Sequence, residues 1–336
     1  MWGGGWIGGV GKAQSAWLIA LQTPPASRMA SGGKLDFLGR GKMRKVILGV
    51  AACASALATQ ALAAQEPAGA AATQAQPTTI VYSDKGPNGL SDLPMGVHRI
   101  PESNVIISGH QKGGALGIIF GLPGMLIQSS ANAETGTGRV RNVQDDLRFD
   151  VTAKAAELTG TILADEKYRQ LFTLSPEAHG GSILTVLPYV VITFEGETDV
   201  RPYVVLKTKL GTGAPNESPK AIKYFCCEGK PLPLLGENGL AENEGAGLKQ
   251  LLTSELETAI HVMLQDRSQP YPRDNQKKIA VNGYVPFVGK PFKFKGYDLG
   301  RYNDYALVEF RAGALVFGGV NIAEPSSLEI TPANVK

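Results

Sequence analysis

At 336 residues, 43% hydrophobic and 19% charged, the chain is long enough for a large core and too apolar for a wholly disordered one. Its formal charge of +3 is misleading, because residues 1–63 hold seven of the 33 Lys and Arg and one of the 30 Asp and Glu, leaving 26 basic against 29 acidic residues beyond. A slightly acidic remainder excludes a general nucleic-acid binder, which needs a strong basic excess.

Residues 1–42 are Gly-rich, hold all three Trp (Trp2, Trp6 and Trp17) and sustain no period of 2 or 3.6. They read as an extension ahead of a true start at Met43, mis-called or disordered. Gly8-Gly9-Val10-Gly11-Lys12 is no phosphate loop: the spacing is wrong, and Ala13 stands where Ser or Thr is needed.

Met43 to Ala64 has the form of a secretory leader. Arg44 and Lys45 give a basic start, Val46 to Ala58 a weakly polar core, and Ala61-Leu62-Ala63 small residues for a peptidase. The run is shorter than the ~20 residues a bilayer-spanning helix needs. Residues 43–63 are therefore expected to be a signal peptide, with a mature start near Ala64 and a periplasmic or cell-envelope destination. A minority alternative is lipidation at Cys53, preceded by Val50-Ala51-Ala52, which would make an outer-membrane lipoprotein. Residues 64–77, rich in Ala, Gln and Pro, read as a disordered tether.

The pattern beyond predicts an α+β fold: a mostly antiparallel sheet, two long amphipathic helices and a small β-rich C-terminal part. The domain spans residues 78–266 and the C-terminal part 277–336. Thr78 to Ser83 and Asn104 to Ser108 are the first strands. Lys112 to Ala133 follows, an apolar stretch in which Gly113, Gly117 and Gly121 recur every four residues. On a helix these would form one flat stripe that lets another backbone approach closely. Over about ten residues the stripe resembles the glycine-zipper segments of some bacterial envelope proteins. Three readings stay open: a Gly-rich helix packed on the sheet, a membrane-touching element, or a subunit-packing helix in an oligomer. Pro123 and Gly124 interrupt any helix there.

A helix is expected from Asn142 to Ala164, capped by Asn142, with Leu147, Val151, Ala155, Leu158 and Ile162 as its apolar stripe. Arg169 to Leu174 reads as a short strand. Ser182 to Phe194 and Pro202 to Leu210 read as a long antiparallel hairpin about a turn at 195–201, with one half-exposed face. Pro188 signals an edge or a bulge. In the strand-like run Ala221 to Cys227, Cys226 and Cys227 are adjacent, so their side chains point to opposite faces. One buried and one edge-facing thiol are expected; a strained vicinal disulfide and an intermolecular bridge are the alternatives. A second helix covers Ala246 to Asp266, with Leu248, Leu252, Leu256, Ala259 and Met263 inward.

Short strands fill 277–336, where nine of the 21 Phe and Tyr lie between Tyr284 and Phe317. Phe292-Lys293-Phe294-Lys295 alternates, placing rings on one face and amines on the other. Phe292 and Phe294 are candidates for ligand stacking, against the alternative of a small sheet with a solvated Lys face.

No catalytic signature stands out. His179-Gly180-Gly181-Ser182 faintly resembles an esterase oxyanion loop, but no G-x-S-x-G elbow accompanies it. His110 sits in a polar loop, and Glu257 with His261 makes an i, i+4 pair expected to be surface. No metal-ligand spacing and no cofactor fingerprint is present, so neither metal nor cofactor is expected. The sequence points to an exported non-enzymatic envelope protein, an assembly or membrane-associated component with an envelope protein or membrane surface as partner. The alternatives are a periplasmic module binding glycan or peptide through its aromatic C-terminal surface, and a hydrolase of unfamiliar architecture.

Overall fold

Three long strands carry large apolar residues at successive positions, a pattern that requires cover on both faces. The computed structural model describes residues 76–83, 93–94, 97–108, 136–177, 181–212, 214, 220–273, 277–310 and 318–333. The three strands are β5 (Ile183–Phe194), β6 (Asp199–Gly211) and β7 (Lys220–Cys227), paired antiparallel in succession. In β5, Leu184, Val186, Val190 and Ile192 enter one core, and Leu187, Tyr189 and Val191 enter another. The half-exposed face expected for this hairpin is therefore buried. Its turn is also tighter than expected, because β6 begins at Asp199 and leaves 195–198 as the turn.

The far edge of β5 takes two short strands in line. β1 (Thr78–Tyr82) pairs in parallel with Ile183 to Val186, and β3 (Val105–Ser108) with Val190 to Thr193. Pro188 falls between them and stays in register with Leu206, so it forms no bulge. Its carbonyl accepts from Asn104 Nδ2 at 3.4 Å, which turns its missing N–H toward the same gap. β2 (Val97–Arg99) pairs with β3, and β4 (Phe172–Leu174) with β1.

The first core lies under the helices. α1 (Val151–Ile162) packs on β5 and on α3 (Glu242–Ser268), and α3 packs on β6 and β7. α1 is much shorter than the helix expected over 142–164. Asp150, not Asn142, caps it by accepting the Ala153 N–H at 2.9 Å, and the preceding residues form turns. Val151, Ala155, Thr159 and Ile162 are its buried positions, so Thr159 takes the place assigned to Leu158. The Thr159 hydroxyl meets Tyr82 Oη at 2.6 Å, which ties α1 to β1. Residues 166–169 form the single helical turn α2 (Glu166–Arg169), capped by Asp165, so the strand expected from Arg169 starts only at Phe172.

α3 opens through a left-handed run at Asn243, Glu244 and Gly245, so its regular part starts at 246 as expected. A Cβ on Gly245 would stand 2.1 Å from the Asp146 carbonyl oxygen; this close approach and φ of +73° both require Gly.

The second core is closed by the C-terminal strands. These are β9 (Lys278–Val285), β10 (Val288–Tyr302), β11 (Tyr305–Phe310), β12 (Gly319–Ala323) and β13 (Leu328–Pro332). They are not a separate sheet, since β12 pairs in parallel with β7 and the order runs β13-β9-β10-β11-β12-β7-β6-β5-β1-β4. Nor are they all short, because β10 has 15 residues. A small strand β8 (Leu232–Pro233) adds to β6. The sheet curls until the β9–β10 turn meets β5, where the Phe287 N–H donates to Thr193 Oγ1 at 3.0 Å. The protein is thus a mixed α/β fold dominated by one large, mostly antiparallel sheet. Among the described residues no helix is long and apolar enough to cross a membrane.

A polar clamp holds the crossing from α3 to β9. Arg273 donates to both oxygens of Asp266, at 2.8 and 2.7 Å, and to Glu309 Oε1 at 3.0 Å. Tyr224 Oη donates to Asp266 Oδ2 at 2.7 Å. Burial acts to raise the Asp266 pKa, but the hydrogen bonds from Arg273, Tyr224 and the Tyr271 N–H outweigh it and hold the carboxylate below its ordinary range. Arg273→Met leaves Asp266 buried without its cation. We expect a loss of about 3–5 kcal/mol in urea unfolding; a cost under about 1 kcal/mol, the scale of an exposed pair, would show the clamp to be dispensable.

Candidate functional site

The polar groups that survive between the two cores gather where β5, β6 and β7 end. Arg201 faces the second core from β6, and its side chain is 4% exposed. Its Nε and Nη2 donate to Glu195 Oε1 and Oε2, its Nη1 donates to the Gly229 carbonyl, and its guanidinium carbon sits 4.3 Å from the centre of the Tyr284 ring. Burial works against the charge, yet the hydrogen bonds and acidic neighbours outweigh it and keep the Arg201 pKa above its ordinary value. Arg201 therefore stays charged, with the Glu195 carboxyl as its bidentate partner.

The two cysteines separate as strand geometry demands. Cys226 enters the core under the helices and Cys227 the core facing Arg201. Both are buried free thiols, so neither faces an edge as expected and no vicinal disulfide is present. β7 is an interior strand flanked by β6 and β12, which explains the burial of both. Burial, with Glu255 adding to it, pushes both thiols well above their ordinary range. They are poor nucleophiles for that reason.

Glu255 projects from α3 into the first core and is fully buried. Its Oε1 accepts the Glu228 N–H at 2.9 Å; the carboxyl also senses the Val204 backbone N–H, but Oε2 has no hydrogen bond of good geometry. Burial raises its pKa well above the ordinary Glu value, and the nearby Glu228 adds to that rise. Glu228 in turn accepts from Tyr305 Oη at 2.8 Å and Ser254 Oγ at 3.1 Å. The sequence reading missed Glu255. The available signal was its spacing, seven residues after Leu248 and four before Ala259, which places a carboxyl on an otherwise apolar stripe.

A small cleft, with room for little more than a water molecule, opens on the other side of β7. Tyr203, Phe225, Tyr284, Phe294 and Phe310 form its aromatic walls, with Arg201 among them. Phe294 is thus half-buried: its ring lies 4.1 Å from Phe310, edge-on, and 6.1 Å from Phe292, stacked. Phe292 is also half-buried, while Lys293 and Lys295 are exposed. The alternation read from the sequence is real, but the ring face turns toward the second core instead of forming an open platform.

Gly113, Gly117, Gly121, Cys53, His110 and His179 lie outside the described residues. Glu257 is exposed and His261 partly buried, stacked on Tyr302 at 6.3 Å and tilted against Tyr168 at 6.4 Å. Burial lowers the His261 pKa, the near Glu257 notwithstanding. Among the described residues no group of three or more His, Cys, Asp or Glu is arranged to hold a metal ion.

No protein-family model matches the chain. No curated protein matches it either.

Two outcomes follow from this geometry. Glu255 titrates higher when folded than when unfolded, so folding loses stability as pH rises from the ordinary Glu range toward the folded pKa. Glu255→Gln removes that loss. Its stability relative to the parent, measured by denaturant unfolding, should rise between pH 5 and pH 8; a difference independent of pH would show that Glu255 is not buried as an acid. The thiols should react with a thiol reagent at least about 100-fold more slowly in the native protein than in guanidinium. Rapid native labelling of either would place it at the surface.

Proposed function

We propose that the protein is an exported component of the cell envelope that works by assembly or association. Residues 43–63 direct it across a membrane and are removed, and residues 64–77 link the new N-terminus to β1. The leader carries this reading: Arg44-Lys45, an apolar core of limited length and Ala61-Leu62-Ala63 occur in the required order.

Two further features support it. The segment with Gly113, Gly117 and Gly121 lies in the chain directly after β3, which is buried against β5. An apolar, Gly-striped segment joined to a rigid strand suits contact with a membrane surface or an envelope protein, or packing between copies in an oligomer. The thiol arrangement also suits an oxidising compartment: Cys226 and Cys227 sit on opposite faces of an interior strand, where neither can reach the other.

The experiment is fractionation of the host cell with mass determination of the native N-terminus. We expect a mature chain starting near Ala64 in the envelope fraction. A chain that keeps Trp2 and Trp6 and stays in the cytosol would overturn the proposal, and a lipid-modified Cys53 would replace cleavage near Ala64 with anchoring.

A further inference from the structure

The second core closes at the turn between β9 and β10. Val285, Phe287 and Val288 of this turn are buried in that core, and the Phe287 N–H donates to Thr193 Oγ1 of β5 at 3.0 Å. Just before the turn, the Tyr284 ring lies against Arg201, its centre 4.3 Å from the guanidinium carbon.

Two features set this turn apart from the rest of the sheet. One is strain. Pro286 fills the second position of the turn and Phe287 the third, and Phe287 has a φ of +71°. A positive φ there ordinarily selects Gly or Asn, and a bulky residue keeps it only where its surroundings hold it. The other is a break in the ladder. Val288 pairs with Val285, but the next pair is Phe292 with Gly283, so Gly289, Lys290 and Pro291 stand opposite Tyr284 alone. Pro291 also has no N–H to give to a ladder. The turn is therefore joined to the body of its hairpin through an irregular segment, and its position depends on the core it docks into.

The face it docks on carries unanswered polar groups. Register places Ser108, Thr193 and Arg201 side by side across β3, β5 and β6, with Tyr203 one row away on the same face. Ser108 and Tyr203 are buried, and their hydroxyls have no hydrogen-bond partner among the described residues. A buried hydroxyl left unpaired disfavours the closed state relative to one that water reaches.

We propose that residues 285–288 are a strained latch, which undocks from β5 about the joint at 289–291 while the rest of the sheet stays paired. Undocking frees Phe287 from its left-handed conformation, loosens Tyr284 from Arg201 and admits water to Ser108 and Tyr203. It opens the second core alone; the first core, under α1 and α3, stays closed. The proposal does not depend on where in the cell the protein works.

The two native thiols report the two cores separately. Cys227 lies in the second core, near enough to Tyr203 and Arg201 to interact with their charges, and Cys226 lies in the first. The test is iodoacetamide labelling of the full chain, followed at each thiol by peptide fragmentation in a mass spectrometer. Both thiols should react far more slowly than in guanidinium, with Cys227 about tenfold faster than Cys226, because a local opening is more frequent than global unfolding. Thr193→Val, which removes the acceptor of the Phe287 N–H, should speed Cys227 about fivefold and leave Cys226 unchanged. Phe287→Ala should speed Cys227 further. Phe287→Gly should speed it several-fold less than Phe287→Ala, because Gly takes the positive φ without strain. Equal rates at the two thiols of the parent would overturn the latch, as would Thr193→Val speeding both alike or neither. Phe287→Gly labelling as fast as Phe287→Ala would remove the strain. Should Phe287→Ala unfold the sheet, Cys226 would speed with Cys227, and the milder Thr193→Val decides.

Discussion

The fold rests on strands that have no solvent face. β5, the first two thirds of β6 and the second half of β7 are buried on both sides, so these stretches must be covered twice. One cover is ordinary: α1 and α3 lay their apolar stripes on one side. The other comes from the same sheet, which continues through β12, β11 and β10 and curls back over its own second face. Burying both faces of a strand such as Tyr224-Phe225-Cys226-Cys227 removes several hundred Å² of apolar surface from water, on the order of 25 cal/mol per Å². Nothing else in the described chain has comparable leverage.

That constraint decides where polar groups survive. In the body of the sheet most are small or paired, the buried Tyr203 hydroxyl being an exception. Thr208 donates to the Ile222 carbonyl at 2.8 Å, and Thr193 accepts from Phe287. Charged residues that are buried stand mostly in closed units, Arg201 with Glu195 and Arg273 with Asp266 and Glu309. An ion pair in such a setting gives little net stability over an apolar pair, but losing one member is severe. Glu255 breaks the rule, since it is buried beside another acid, and it meets the constraint by holding its proton.

The same constraint shapes the functional reading. Cysteines on adjacent positions of an interior strand are kept apart by the sheet itself. The aromatic C-terminal strands spend their rings on the second core and on the cleft beside Arg201, and present lysines outward. A surface for partners would then have to come from elsewhere, and the Gly-striped segment after β3 is the part of the sequence with that character.

Much was legible in the sequence alone. The β5–β6 hairpin, the strand ending in Cys227 and the regular part of α3 follow from period-2 and period-4 patterns that local geometry enforces. The opposite orientation of Cys226 and Cys227 follows from the pleat. The start of α1 was not legible, because Asn142 and Asp150 are both good caps and only the packing of Leu147 in a turn chose between them. The burial of the hairpin's second face, the fate of Phe292 and Phe294, and the gathering of Arg201, Glu195 and Cys227 were decided by tertiary structure. The first two depend on the parallel pairing of β12 with β7, two strands about a hundred residues apart, and no local pattern encodes which distant edge a strand will join; the third follows from the successive β5–β6 and β6–β7 pairings.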